Sequence, residues 1–134
     1  MSNVKYMGRM FYGATDFNQP IGNWNTSNDT SMLYMFKDAS SFNQPIGNWD
    51  VSNITNMELL FDDATNFNKP LDNWNVSKVT TMRGMFQGAE NFNQAIGNWD
   101  VSNATLMQNM FYRAANFNQD LSEWCVTNFD SKPK

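Results

Sequence analysis

The sequence predicts an α/β solenoid of about five 25-residue units, each with a short parallel strand and a short helix. Three observations predict it. The five tryptophans, Trp24, Trp49, Trp74, Trp99 and Trp124, fall 25 residues apart. A fixed period of this length marks a chain made by copying one structural unit. Within each unit, one stretch carries apolar residues at helical spacing and another carries them at the closer spacing of a strand. The repeat domain is expected over 1–129, with units beginning near each tryptophan and a partial unit ahead of Trp24. Residues 130–134 are read as a C-terminal tail.

The helix is predicted from Met57, Leu60, Phe61 and Ala64, which lie at i, i+3, i+4 and i+7. The same face recurs as Met32, Met35, Phe36, Ala39 and as Met82, Met85, Phe86, Ala89. Thr55 precedes it with Glu58 three residues on, a capping-box pattern, and Thr105 with Gln108 repeats it. About two turns of helix are unstable alone, so stacking on neighbouring units must hold them.

The strand is predicted at each Trp-x-Val segment, such as Trp49–Val51. In Ile46-Gly47-Asn48-Trp49-Asp50-Val51 the apolar residues take relative positions 1, 4 and 6, with Ile54 at 9. That layout is leucine-rich-repeat-like. Asp29 stands where Ile54, Val79 and Ala104 supply the apolar residue in other units. Phe17, Phe42, Phe67, Phe92 and Phe117 should point inward. The asparagine after each (Asn18, Asn43, Asn68, Asn93, Asn118) should bond backbone at a turn and form a ladder. Pro20, Pro45 and Pro70 follow two residues later and fix the turn without an N–H.

The run Phe-Asn-Gln-Pro-Ile-Gly-Asn-Trp-Asp-Val-Ser-Asn, carried at residues 42–53, resembles the BspA-like surface-protein repeat of bacteria, found in mycoplasma lipoproteins and listerial surface proteins. The resemblance covers residues 2–129. It implies a leucine-rich-repeat-like scaffold on the cell surface or outside the cell, with adhesion to host or partner-cell proteins among the roles of relatives. It carries no catalytic residues over to this chain. Leu60 for Met, Ala95 and Asp120 for Pro, and Cys125 for Asx depart from the pattern.

Composition narrows the function classes. Only 16% of the 134 residues are charged, against roughly 25% in average globular proteins. The net charge is −4 and histidine is absent. The few Lys and Arg residues are scattered, which argues against a nucleic-acid stripe. No apolar run is long enough for a membrane span, and residues 1–23 lack the apolar core of a signal peptide. Ser2-Asn3-Val4 matches Ser52-Asn53-Ile54, so the chain reads as a segment of a longer protein. The single cysteine, Cys125, stands at an Asx position. It lacks the histidine base that a thiol nucleophile needs.

The candidate binding surface is the predicted sheet face, with Asn23, Asn25, Asn48, Asp50, Asn73, Asn75, Asn98 and Asp100 flanking the inward Trp. Two explanations of its uniformity stand open. The side chains serve a structural ladder, or they present a polar platform to a protein or glycan. Neither a catalytic nor a metal site is expected: Asp50 and Asp100, two units apart, would lie about 10 Å from each other, too far for paired carboxylates. No cofactor is expected. The function expected is that of a non-catalytic surface module for protein or cell adhesion. The alternatives are a spacer without a ligand and a glycan-binding or glycan-degrading module. The partners expected are a protein or glycan on another cell or in the matrix, and a second copy of the chain joined end to end.

Overall fold

The computed structural model describes residues 5–124. Cys125 and the 130–134 tail lie outside the described residues. Within them there is neither a helix nor an extended strand. Strand-like pairing is confined to isolated parallel bridges, Ser31 to Asn56, Asn56 to Thr81 and Thr81 to Leu106. The α/β solenoid, with its leucine-rich-repeat-like strand and helix in each unit, is therefore not what the chain forms. Each 25-residue unit is instead a succession of turns, and equivalent residues of successive units meet.

The hydrogen bonds of the predicted helix show why. Met35, Lys37 and Ala39 donate N–H three residues back, to Met32, Tyr34 and Phe36. The residues between them turn outward to the next unit. Met32, Tyr34, Phe36 and Asp38 donate to Asn56, Glu58, Leu60 and Asp62 at 2.8–3.1 Å. Donors that close local turns thus alternate with donors that join units, so no i→i−4 ladder exists. Two residues per unit take left-handed backbone, Tyr34 and Asp38 at φ 59° and 63°, and Leu59 and Asp63 at 54° and 57°. A left-handed residue at the third position of a four-residue turn is the type II geometry, and it breaks a helix wherever it occurs. The burial pattern survives the change of backbone: Met32, Met35, Phe36 and Ala39 all face the core.

The expected strand also resolves into turns. Trp49 N–H donates to the Ile46 carbonyl and Ile54 N–H to the Val51 carbonyl. Apolar residues three apart lie at the two ends of a turn and point the same way. That is the origin of the 1-4-6-9 spacing. The threonines expected as helix caps join units instead. Thr55 Oγ1 donates to the Thr30 carbonyl and Thr80 Oγ1 to the Thr55 carbonyl, at 3.3 and 3.1 Å. Glu58, the expected capping partner, pairs with Arg83 of the next unit.

The core is a set of aromatic columns. Phe11, Phe36, Phe61, Phe86 and Phe111 stack at 5.5–5.8 Å between ring centres. The Phe17-to-Phe117 column stacks at 5.8–6.0 Å. The tryptophans point inward, as the sequence implies. Trp24 on Trp49, Trp74 on Trp99 and Trp99 on Trp124 lie 6.4–6.5 Å apart with nearly parallel planes. Such large buried rings dominate the stabilisation. Four of the five indole N–H groups also find an acceptor in the preceding unit: Trp49, Trp74, Trp99 and Trp124 Nε1 donate to the carbonyls of Ile21, Ile46, Leu71 and Ile96 at 3.0 Å. The asparagine ladder forms as expected. Asn43, Asn68, Asn93 and Asn118 N–H each donate to the Oδ1 of the asparagine 25 residues earlier, at 2.9 Å.

Candidate binding surface

All eight candidate residues lie on exposed turns, not on a sheet, and they divide into two sets. Asn25, Asp50, Asn75 and Asp100 turn their side chains onto their own backbone. Asp50 Oδ1 accepts the Ser52 N–H at 3.0 Å and the Ser52 hydroxyl at 2.5 Å. Asp100 does the same with Ser102 at 3.1 and 2.7 Å, and Asn25 with Ser27 at 3.1 and 2.6 Å. Asn75 accepts the Ser77 N–H at 3.1 Å. These are Asx turns, which Asn and Asp form because the short side chain reaches the amide two residues on. In Asp50 and Asp100 the serine hydroxyl, then the serine amide, stabilises the charged form and holds the carboxyl below its ordinary range. One oxygen of each of these four residues is therefore committed to shaping the turn.

Asn23, Asn48 and Asn73 sit differently. Asn48 and Asn73 border a shallow groove of about 210 Å3 with Pro45, Gly47, Pro70 and Asp72. One unit earlier, Asn23 borders a groove of about 190 Å3 with Pro20, Gly22 and Pro45. Glycine is needed here by close approach. A Cβ on Gly47 would stand 2.9 Å from the Pro70 carbonyl oxygen, and one on Gly22 2.8 Å from that of Pro45. Asn98, the fourth of the set, donates its Nδ2 to the Asp72 carbonyl at 3.1 Å.

The prolines and glycines that line the grooves are absent from the sequence-derived site. The Pro-Ile-Gly run before Asn23 and Asn48 was a usable signal, because a Pro and a Gly two residues apart on a surface turn leave a hollow that larger side chains would fill. The exposed Tyr6, Tyr12, Leu106 and Tyr112 were also outside that site. Among the described residues no group of three or more His, Cys, Asp or Glu is placed to hold a metal ion, and no helix is long and apolar enough to cross a membrane.

These features define a repeat protein whose units are chains of turns joined by side-chain and backbone ladders. A family model described as "Mycoplasma protein of unknown function, DUF285" matches residues 1–82 and again 69–133, and the chain belongs to that family. No curated protein and no solved structure matches it.

Proposed function

We propose that the chain is a non-catalytic module of a cell-surface or extracellular protein that binds a protein on another cell or in the matrix. Within its repeat family we place it with the BspA-like surface-protein repeats, on the Phe-Asn-Gln-Pro-Ile-Gly-Asn-Trp run. One observation carries the binding role. The same groove, edged by asparagine amides and floored by proline and glycine, recurs at successive units. Asparagine amides at a groove edge offer both donors and acceptors and suit a partner with a regularly spaced backbone. The test is adhesion of beads carrying the chain to cultured cells and to immobilised matrix proteins. Replacing Asn23, Asn48 and Asn73 together by Ala should reduce adhesion at least tenfold while leaving the unfolding midpoint unchanged. Undiminished adhesion by this variant would remove the grooves from the function.

A spacer role is the second reading, and the continuous columns favour it. The two phenylalanine columns and the asparagine ladder pass from unit to unit at every described step, so each unit rests on its neighbours along the length of the array. If beads carrying the chain adhere to nothing, and reach alone changes when units are deleted, the spacer reading stands.

A further inference from the structure

The turn column Gly22, Gly47, Asp72, Gly97 departs from glycine at Asp72. A Cβ on Gly22 or Gly47 would press on a proline carbonyl of the next unit, and one on Gly97 would stand 2.5 Å from the Asp120 carbonyl oxygen. The turn therefore favours a residue without a side chain. Asp72 nevertheless sets a carboxylate there, on an exposed turn. It borders the larger groove, beside the amides of Asn48 and Asn73 and the rings of Pro45 and Pro70, and is the charged residue of that lining. The groove one unit earlier, bordered by Pro20, Gly22, Asn23 and Pro45, carries no charge.

The polar side chains of this groove have no structural task. Asp50 is tied to Ser52, and Asn98 Nδ2 to the Asp72 carbonyl. The side chains of Asn48, Asp72 and Asn73, by contrast, bond to no other described residue. Lys69 and Lys78, the basic residues nearest Asp72 in sequence, leave it unpaired. Lys78 Nζ bonds Asn53 Oδ1 at 3.2 Å, and the described ion pairs join Lys37 to Asp38 and Asp62, and Arg83 to Glu58. The chain as a whole carries a net charge of −4, which draws cations and repels acidic groups.

We propose that the groove between Asn48 and Asn73 takes an arginine side chain of the partner protein. This rests on the grooves being the binding surface, and it names what fills one of them. A guanidinium is planar and presents its N–H donors in a rigid fork that matches a carboxylate. Asp72 accepts one edge of the fork, and the amide oxygens of Asn48 and Asn73 accept the remaining donors. The aliphatic stem lies along Pro45 and Pro70 while its charged head stays in water. A lysine ammonium has no fork and is more strongly hydrated, and an acidic side chain is repelled by Asp72. Because the Asn23 groove has no carboxylate, the arginine also fixes where along the stack the partner sits.

The test has two arms. In the first, the full isotope-labelled chain is titrated at low salt with N-acetyl-arginine amide and followed by NMR. The side-chain amide signals of Asn48 and Asn73 should shift saturably. N-acetyl-citrulline amide, the neutral isostere, and N-acetyl-lysine amide should bind at least tenfold more weakly. Asp72→Asn should weaken arginine binding about tenfold without moving the unfolding midpoint. No saturable shift, equal binding of citrulline or lysine, or an Asp72→Asn variant that binds like the parent would each overturn the proposal. In the second arm, beads carrying the chain meet matrix proteins whose arginines are blocked with phenylglyoxal or whose lysines are acetylated. Arginine blocking and Asp72→Asn should each cut adhesion about tenfold, and lysine acetylation should leave it unchanged; adhesion that survives arginine blocking sinks the idea. If the Asn23, Asn48, Asn73 triple variant loses adhesion while Asp72→Asn keeps it, the grooves remain the binding surface and the arginine reading falls alone. If the triple variant adheres undiminished, the grooves fall and the arginine reading falls with them.

Discussion

At the scale of the residue, Asp29 is the most informative departure. Its equivalents, Ile54, Val79 and Ala104, are buried apolar side chains, and Asp29 is 0% exposed. Oδ1 accepts the Met7 and Ser31 N–H groups at 3.2 and 3.1 Å, while Oδ2 has no hydrogen-bond partner. Burial pushes the carboxyl up to about 6, against the smaller opposing effect of the backbone donors from Ser31, Met7 and Thr30. The folded chain therefore holds this proton more tightly than the unfolded chain. The stability contributed by the protonated carboxyl is fully present below about pH 4 and is lost as pH rises to about 6. Burial raises Asp62 in the same sense, opposed by Lys37. Asp50 and Asp100, held low, lose their contribution only on acidification below the ordinary carboxylate range, so their window is separate. Asp29→Asn should raise the stability at pH 7 by on the order of 2 kcal/mol and have little effect at pH 4. Urea unfolding at the two pH values measures it, and equal effects at both would remove Asp29 from the pH dependence. The sequence identified Asp29 as the odd member of its column. It held no sign that the carboxyl would be buried with one oxygen unpartnered.

At the scale of the unit, the inward face was legible and the backbone was not. Met57, Leu60, Phe61 and Ala64 are buried as their spacing requires. A chain of turns closing every three residues places those positions on one side as well as a helix does, so periodicity alone cannot separate the two. The deciding feature is left-handed backbone at residues such as Tyr34 and Leu59, which L side chains seldom adopt and which composition did not announce. Only in one unit do both positions carry glycine, Gly84 and Gly88. Gly84→Ala should destabilise the chain by roughly 1–2 kcal/mol, the usual cost of left-handed backbone for an L residue. The Leu59 side chain, which occupies the space of the added methyl group, must also move. Denaturant titration checks this, and an unchanged midpoint would show that the φ of +60° is not maintained in solution. The grooves were half legible: Asn23, Asn48 and Asn73 were named from the sequence, but the role of Pro45 and Gly47 depends on how close adjacent units approach.

At the scale of the whole molecule, stability resides in contacts between neighbours. Trp74 is buried, bonds the Ile46 carbonyl and stacks on Trp99. Trp24 is only partly buried, although it stacks on Trp49. Trp74→Ala should cost about 3–5 kcal/mol and Trp24→Ala clearly less, with the difference read from denaturant midpoints. Equal costs would mean that the units do not form a linear series of contacts. The copying of one unit and the inward course of the tryptophans were readable from spacing alone. The close approach of Gly22 and Gly47 to the proline carbonyls of the next unit was not, because it appears only when equivalent residues are lined up in space.

The indole bonds give the array a mechanical grain. From Trp49 onward, each described unit is gripped through its tryptophan N–H by a carbonyl of the unit before it. A load pulling along the column passes through every junction in series, and an end unit, held by one neighbour instead of two, is the first to yield. Failure there frees one 25-residue repeat, about 80 Å of slack at the usual reach of an extended chain. The next junction then takes up the tension, so an array of this kind yields in instalments and absorbs work at every step.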